Sequence, residues 1–241
     1  MASPKILVVE DDTVILELIF RFFKQKNYQL KTANDGRSAL EIFTYFNPDL
    51  VILDINLPDI IGYDLCERMQ KSTDVYVMML TSRINPEDKI QGFRRGADDY
   101  VTKPFDLQEL EWRVKALLKR QARREVISSQ TPLNVLVWKD LTIDPNRREV
   151  TVLGQGIELT ALEFDLLFFL ASHPGKVWSR AELIEKVWKV SCSISSDLRV
   201  VDVHIGQIRR KIQAVSSRSY LIKTVRGVGY KFEVLTEKNI K

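Results

Sequence analysis

Asp49-Leu-Val-Ile-Leu-Asp54-Ile-Asn-Leu-Pro58 runs four apolar residues into a single carboxylate and then stops at a proline. An apolar run this short, bounded by polar residues and a turn signal, predicts a strand covered on both faces. Asp54 then stands at the carboxyl end of a central strand, the edge at which open parallel sheets bind ligands. On this segment alone two readings stay open: a carboxylate that carries chemistry, or an aspartate that caps the next turn.

The same unit recurs on both sides. Upstream, Ile6-Leu-Val-Val9 ends in Glu10-Asp11-Asp12, after which Ile15, Leu18, Ile19 and Phe22 follow at helical spacing. The pattern continues as strand 30–33, helix 36–46, strand 50–53, helix 62–71, strand 75–80, helix 86–96, strand 100–102 and helix 106–120. Strands and helices that alternate five times predict a doubly wound α/β fold with a five-stranded parallel sheet, because each parallel connection needs a crossover. Gly92, inside the fourth helix, lowers that helix's stability by about 1 kcal/mol relative to alanine and so favours its movement.

The strand ends carry the polar residues. Glu10 and Asp11 follow the first strand, Asp54 the third, Thr81 the fourth and Lys103 the fifth, all on one edge of one sheet. Three carboxylates crowded there either share protons or hold a hard cation such as Mg²⁺, which needs no unusual protonation at neutral pH.

The 241 residues divide by charge. Residues 1–121 carry 17 Lys/Arg against 19 Asp/Glu, and residues 122–241 carry 19 against 13. A slightly acidic half joined to a basic one suggests a regulatory or catalytic domain attached to one that meets nucleic acid. The two cysteines, Cys66 and Cys192, fit neither a metal site nor a disulfide framework, which points to a reducing compartment. No long apolar run opens the chain, so a cytoplasmic protein with no membrane contact is expected.

Residues 4–121 resemble the receiver domain of two-component response regulators. The resemblance is carried by Val9-Glu10-Asp11-Asp12, Leu53-Asp54, Leu57-Pro58 with Gly62, Leu80-Thr81-Ser82, Gly96-Ala97-Asp98-Asp99-Tyr100 and Lys103-Pro104-Phe105. It implies that Asp54 takes a phosphoryl group from a sensor histidine kinase. It also implies that Glu10, Asp11, Asp54 and the carbonyl of Asn56 hold Mg²⁺, that Lys103 neutralises charge, and that Thr81 and Tyr100 form the switch. Lys89, Asp98, Glu109 and Arg113 match intermolecular ion pairs of one dimerising receiver subfamily, around Ile90 and Phe93. Trp112 departs from that pattern, standing where a small alanine is usual.

Residues 122–132 are polar and end in proline, predicting a flexible linker between a domain at 1–121 and another at 133–241. Strands at 135–138, 141–143, 149–153 and 157–159 predict a small antiparallel sheet. Two capping boxes follow, Thr160-Ala-Leu-Glu163 and Ser179-Arg-Ala-Glu182, the second opening a helix to 188, before a loop at 189–196. In a third helix at 197–214, Leu198, Val201, Ile205, Ile208 and Ile212 are expected inside. Arg199, Val203, Gly206, Gln207 and Arg210 are expected outside. A hairpin closes the domain, with strands 220–225 and 230–234 joined across Arg226-Gly-Val-Gly229.

Residues 133–235 resemble the winged helix-turn-helix effector of the OmpR/PhoB subfamily. The residues concerned are Leu159-Thr160-Ala-Leu-Glu163-Phe164, Arg199-Val-Val-Asp202-Val203-His204-Ile205, Arg209-Arg-Lys211 and Thr224-Val-Arg226-Gly-Val-Gly-Tyr230. This resemblance implies that the third helix enters the major groove of promoter DNA with Arg199, Val203, Gln207, Arg209 and Arg210. It places Arg226 in the minor groove and Thr224 and His204 on phosphates. Gln207, where relatives commonly carry arginine, is expected to favour adenine.

The combined expectation is a transcriptional regulator that dimerises when phosphorylated, binds tandem half-sites and meets RNA polymerase. One competing reading is an aspartyl phosphatase, which needs a second carboxylate where Asn56 stands. Another is a phosphorylation-independent DNA binder that uses the receiver only for dimerisation or docking.

Overall fold

Ile6, Leu7, Val8 and Val9 are fully buried, as are Leu50, Val51, Ile52 and Leu53, which fixes these two runs as the inner strands of a covered sheet. The computed structural model describes residues 3–73, 75–82, 92, 94–130, 134–188, 198–216 and 221–233. The chain divides into two compact units, Met1–Ala122 and Arg123–Lys241.

The first unit holds five parallel strands: β1 (Lys5–Val9), β2 (Gln29–Ala33), β3 (Leu50–Asp54), β4 (Tyr76–Thr81) and β5 (Asp99–Thr102). Their order is β2-β1-β3-β4-β5, so the sheet reverses direction of growth between β1 and β3. Ligands bind beside such a reversal, at the carboxyl ends of the strands. Edge strand β2 alternates between exposed and less exposed residues, whereas β4 is buried along its whole length.

Helices α1 (Thr13–Lys24), α2 (Gly36–Phe46) and α3 (Gly62–Ser72) make the crossovers. Asp12 caps α1, accepting from the Val14 and Ile15 amides at 2.8 and 3.2 Å, and Asp35 caps α2 through the Ser38 amide at 2.7 Å. Gly62 opens α3 against the end of β3, where an added Cβ would run into the Asp54 carbonyl oxygen. The expected helix at 86–96 falls largely outside the described residues, and Lys89, Ile90 and Phe93 with it.

The next helix, α4, runs from Leu107 to Gln130, ten residues beyond the expected end. Residues 122–130, expected within the linker, are therefore helical. Gln-Ala-Arg-Arg-Glu contains neither glycine nor proline and consists of good helix formers, so polarity alone misread it.

The second unit opens with a four-stranded antiparallel sheet, β6 (Leu136–Trp138), β7 (Leu141–Asp144), β8 (Glu149–Val152) and β9 (Gln155–Ile157), in sequence order. Both capping boxes form: Thr160 with Glu163 starts α5 (Ala161–Ala171), and Ser179 with Glu182 starts α6 (Arg180–Leu183). Helix α5 is buried on nearly every side, including Phe164 and Leu167, so it is the central helix rather than one with a single apolar stripe. Helix α6 is only one turn long and continues as a π-helical turn, Ile184–Trp188.

Helix α7 (Arg199–Val215) departs from its expected register at two positions. Leu198 is the N-cap and is 41% exposed, whereas Gln207 is 6% exposed and faces inward. Val200 and His204 are buried beside Val201, Ile205, Ile208 and Ile212, which widens the inward arc enough to include Gln207. The hairpin β11 (Ile222–Val225) and β12 (Gly229–Phe232) gains a third strand that the sequence reading missed. This strand, β10 (Trp178–Ser179), pairs with Tyr230 and Gly229. A two-residue strand has no periodicity to detect. No helix among the described residues is long and apolar enough to cross a membrane.

Candidate functional site

Parallel register brings the strand ends of the first unit into one pocket. Glu10 follows β1, Asp54 ends β3 and Thr81 ends β4, and all three are buried while Asp11 is exposed at the rim. Each of Glu10, Asp11 and Asp54 offers an oxygen, and these oxygens lie within 4.8 Å of one another. Asp12 is not part of the set, because its carboxylate is spent on the α1 cap.

Lys103 reaches in from beyond β5. Its Nζ donates to Glu10 Oε1 at 2.6 Å and to Asp54 Oδ2 at 2.9 Å, while Asp54 Oδ1 accepts from the Ile55 amide at 2.6 Å. Burial pushes the Glu10 carboxyl up to about 7; the neighbouring Asp54 charge adds to this, and the Lys103 contact opposes it. Burial works against the Lys103 charge as well. Its hydrogen bonds to Glu10 and Asp54 outweigh that, and its pKa rises.

Glu10 Oε2 is buried with no hydrogen-bond partner. A buried carboxylate oxygen left bare is costly, and a divalent cation among three carboxylates would both satisfy it and draw off the excess negative charge. The donor set therefore fits Mg²⁺. Asn56, also expected as a ligand, is exposed two residues past Asp54 and forms a bridge with Ile61.

The two residues expected to form a switch lie on neighbouring strands, Thr81 on β4 and Tyr100 on β5. Thr81 is fully buried, and its carbonyl accepts from the Lys103 amide at 2.7 Å. Tyr100 is buried, with its hydroxyl 2.9 Å from that of Tyr63. Its ring lies where a Cβ on Gly92 would stand. Close approach to Tyr100 therefore requires a glycine at position 92, a reason the sequence reading did not supply.

At the expected dimer surface Arg113 is only 7% exposed and pairs with Asp99 and Glu109 of its own chain at 3.0 and 2.8 Å. Asp98 does not belong to that surface. It is fully buried and its Oδ2 accepts from the Val77 amide at 2.8 Å and from Gln70 Nε2 at 3.2 Å. Adjacent residues entering a strand point to opposite faces, so only one aspartate of the pair can face out, and that is Asp99. Trp112 is 53% exposed.

In the second unit, Arg199, Gly206 and Arg210 are exposed and Val203 half-exposed, at positions that follow one face of α7. Arg226 is exposed on the turn between β11 and β12, where Gly227 takes φ of 73°. Three expected contacts are corrected. His204 is fully buried with its ring 5.6 Å from that of Trp188, and Gln207 is 6% exposed, so both face the interior of the unit rather than its surface. Arg209 turns toward the hairpin, donating to the Ile222 carbonyl at 2.7 Å and to Thr224 Oγ1 at 2.9 Å. Asp202 and Tyr230, quoted above only as parts of motifs, meet at 2.6 Å.

Comparison with known proteins gives two family matches. "Response regulator receiver domain" covers residues 6–115, and "Transcriptional regulatory protein, C terminal" covers residues 154–232. The chain is 39% identical over 238 residues to the probable transcriptional regulator ycf27 of Guillardia theta, spanning 99% of this chain and 94% of that protein. It is 39% identical to the transcriptional regulatory protein ResD of Bacillus subtilis, with 98% of each chain covered. It is 41% identical to PrrA of Mycobacterium leprae, covering 95% of this chain and 96% of that protein. Among solved structures, a RitR mutant matches with a TM-score of 0.79 at 27% identity, covering 97% of this chain and all of that one.

Proposed function

Because the chain belongs to the two-component response regulators with an OmpR/PhoB-type DNA-binding half, we propose that Asp54 is its phosphorylation site and that the phosphoryl group governs its binding to promoter DNA. The family consists of transcriptional regulators rather than catalytic enzymes. The observation that carries the reading is the Lys103 ammonium held between Glu10 and Asp54, beside a buried Glu10 oxygen that lacks a partner.

In the transfer, a carboxylate oxygen of Asp54 forms a bond to phosphorus as the bond from phosphorus to the donor histidine nitrogen of a sensor kinase breaks. A carboxylate is a weak nucleophile toward a phosphoryl group that is itself anionic, so charge must be neutralised on all sides. Mg²⁺ held by Glu10, Asp11, Asp54 and the Asn56 carbonyl would supply part of that neutralisation. Lys103 supplies another part and keeps Asp54 in place. Thr81, one strand away, donates its hydroxyl to the new phosphoryl oxygens, and Tyr100 responds to its movement.

The modified chain dimerises through the face that carries Glu109, Trp112 and Arg113, together with Lys89, Ile90 and Phe93. Asp99 takes the place expected for Asp98. Exposed ion pairs add little affinity singly, so they fix register around the apolar centre. Trp112→Ala is expected to weaken the phosphorylated dimer about tenfold, since one interfacial tryptophan often carries that much. Sedimentation at graded concentrations reads this, and an unchanged dimer constant would remove Trp112 from the interface.

The paired effector units then engage tandem half-sites, with α7 in the major groove and Arg226 in the minor groove, in contact with RNA polymerase. Linking two weak modules raises effective concentration without a new base contact. Arg226→Ala is expected to weaken every duplex about tenfold and to lower the slope of log K against log salt by about 0.9, the value for one phosphate-neutralising cation. A loss confined to one sequence would instead make Arg226 a base-reading residue.

Sequencing of DNA fragments captured by the full chain with and without a small-molecule phosphodonor tests the whole reading. Enrichment of paired half-sites only with the donor supports it. Identical fragments in both arms would favour a regulator that ignores phosphorylation.

A further inference from the structure

Asp202 and the hairpin tyrosine Tyr230 lie in contact and have no part in the DNA contacts assigned so far. Asp202 Oδ1 accepts from Tyr230 Oη at 2.6 Å and from Arg180 Nε at 2.7 Å, and Arg180 Nη2 lies 3.4 Å from the same tyrosine hydroxyl. The Tyr230 ring lies beneath two guanidinium groups, that of Arg180 at 5.1 Å and that of Arg209 at 5.7 Å. Three elements meet here: Arg180 begins α6, Asp202 and Arg209 stand on α7, and Tyr230 is in β12.

The geometry is that of a two-point fastening. Asp202 holds β12 through Tyr230, and Arg209, seven residues further along the same face of α7, holds β11 through the Ile222 carbonyl and Thr224. Seven residues advance a helix by roughly 10 Å. A contact to one strand alone would let the hairpin pivot on the helix, whereas these contacts from two turns of the helix take hold of both strands, Tyr230 of β12 and its cross-strand partner Thr224 of β11. The backbone adds a third attachment. Strand β10 pairs with β12 immediately before Arg180, and Gly229 sits so close to Trp178 that an added Cβ would strike its carbonyl oxygen.

On this basis, and resting on the DNA-binding reading of this face, we infer that Arg180, Asp202 and Tyr230 are positioning residues for DNA recognition. They lock the hairpin to α7, so that Arg226 and the row Arg199, Val203, Gly206 and Arg210 meet the duplex at one fixed spacing. Arg180 and Arg209 therefore spend their guanidinium groups on contacts within the protein. A hairpin held in its bound orientation loses no freedom on binding, and that saving appears as affinity.

The test uses the full chain and a duplex that the wild-type protein selects from a random pool. Dissociation constants are measured at several salt concentrations alongside thermal melts. Tyr230→Phe keeps the ring and removes only the hydroxyl, and Asp202→Ala removes the acceptor. Each is expected to weaken binding about tenfold, the effect of one charge-assisted hydrogen bond, with an unchanged salt slope because no phosphate contact is lost. Asp202→Asn, which keeps an acceptor oxygen, is expected to stay within about threefold of wild type. The pair Tyr230→Phe with Asp202→Ala should lose no more than either single change, since both break one junction.

Wild-type affinity in Tyr230→Phe and Asp202→Ala would overturn the inference. So would an affinity loss that merely follows a loss of folded protein, or a salt slope lowered by Arg180→Gln, which would make Arg180 a phosphate contact. If the wild-type chain selected no duplex at all, the DNA-binding reading itself would fall, an outcome distinct from those three.

Discussion

Asp54→Asn is expected to leave the fold intact and to abolish phosphoryl acceptance, by at least ~10³-fold in the rate of labelling, because an amide oxygen cannot replace the nucleophilic carboxylate. The side chain keeps its size and can still accept from the Ile55 amide, as the Asp54 carboxylate does at 2.6 Å. The variant should therefore melt normally and bind DNA at the level of the unmodified chain, with or without a phosphodonor. A donor-induced rise in DNA affinity that survived in Asp54→Asn would place the acceptor elsewhere. Asp54→Ala makes the same prediction and separates the account from a regulator that uses its first unit only as a scaffold.

Lys103→Ala carries the second large effect, in two parts. Lys103 is 13% exposed in its side chain and bridges two buried carboxylates, so its removal leaves Glu10 and Asp54 facing one another without compensation. Breaking a buried ion pair by deleting one partner is strongly destabilising, and a loss of about 2 kcal/mol is expected for this partly screened case in the presence of a chelator. Saturating Mg²⁺ should return most of that stability, since a cation that binds only the folded chain stabilises it by mass action. Denaturant titrations with and without Mg²⁺ read both parts. The DNA response to a phosphodonor should remain lost under either condition, and equal stability of the variant with and without Mg²⁺ would contradict the cation site.

The sheet and its acidic pocket were legible in the sequence because both rest on simple rules. Short apolar runs such as Ile6–Val9 and Leu50–Leu53, bounded by polar and turn residues, fit covered strands, and parallel pairing then brings every strand end to the same edge. The pocket follows from counting which polar residue ends each run. Less legible was anything that depends on which way one side chain turns. Asp98 and Asp99 are identical in sequence, and only the onset of β5 at Asp99 sends the first inward to the Val77 amide and the second outward to Arg113.

The helix α7 shows the same limit. A helical stripe can be drawn from its isoleucines, but the width of the buried arc depends on what packs beside it. Trp188 against His204 extends that arc, and Gln207, expected on the exposed face, lies inside it. Arg209 was assigned to DNA on the resemblance carried by Arg209-Arg-Lys211, whereas its partner, the Ile222 carbonyl, is a backbone atom that no side-chain pattern reveals. Residues 122–130 illustrate the opposite error, in which polarity outweighed the good helix propensity of the same residues.

The most direct measurement is the intact mass of the full chain after incubation with a small-molecule phosphodonor and Mg²⁺, followed by peptide mapping. The account predicts one added phosphoryl group, on Asp54, that requires Mg²⁺ and is absent from Asp54→Asn. An unmodified mass under these conditions, or a phosphoryl group mapped to any other residue, would contradict it.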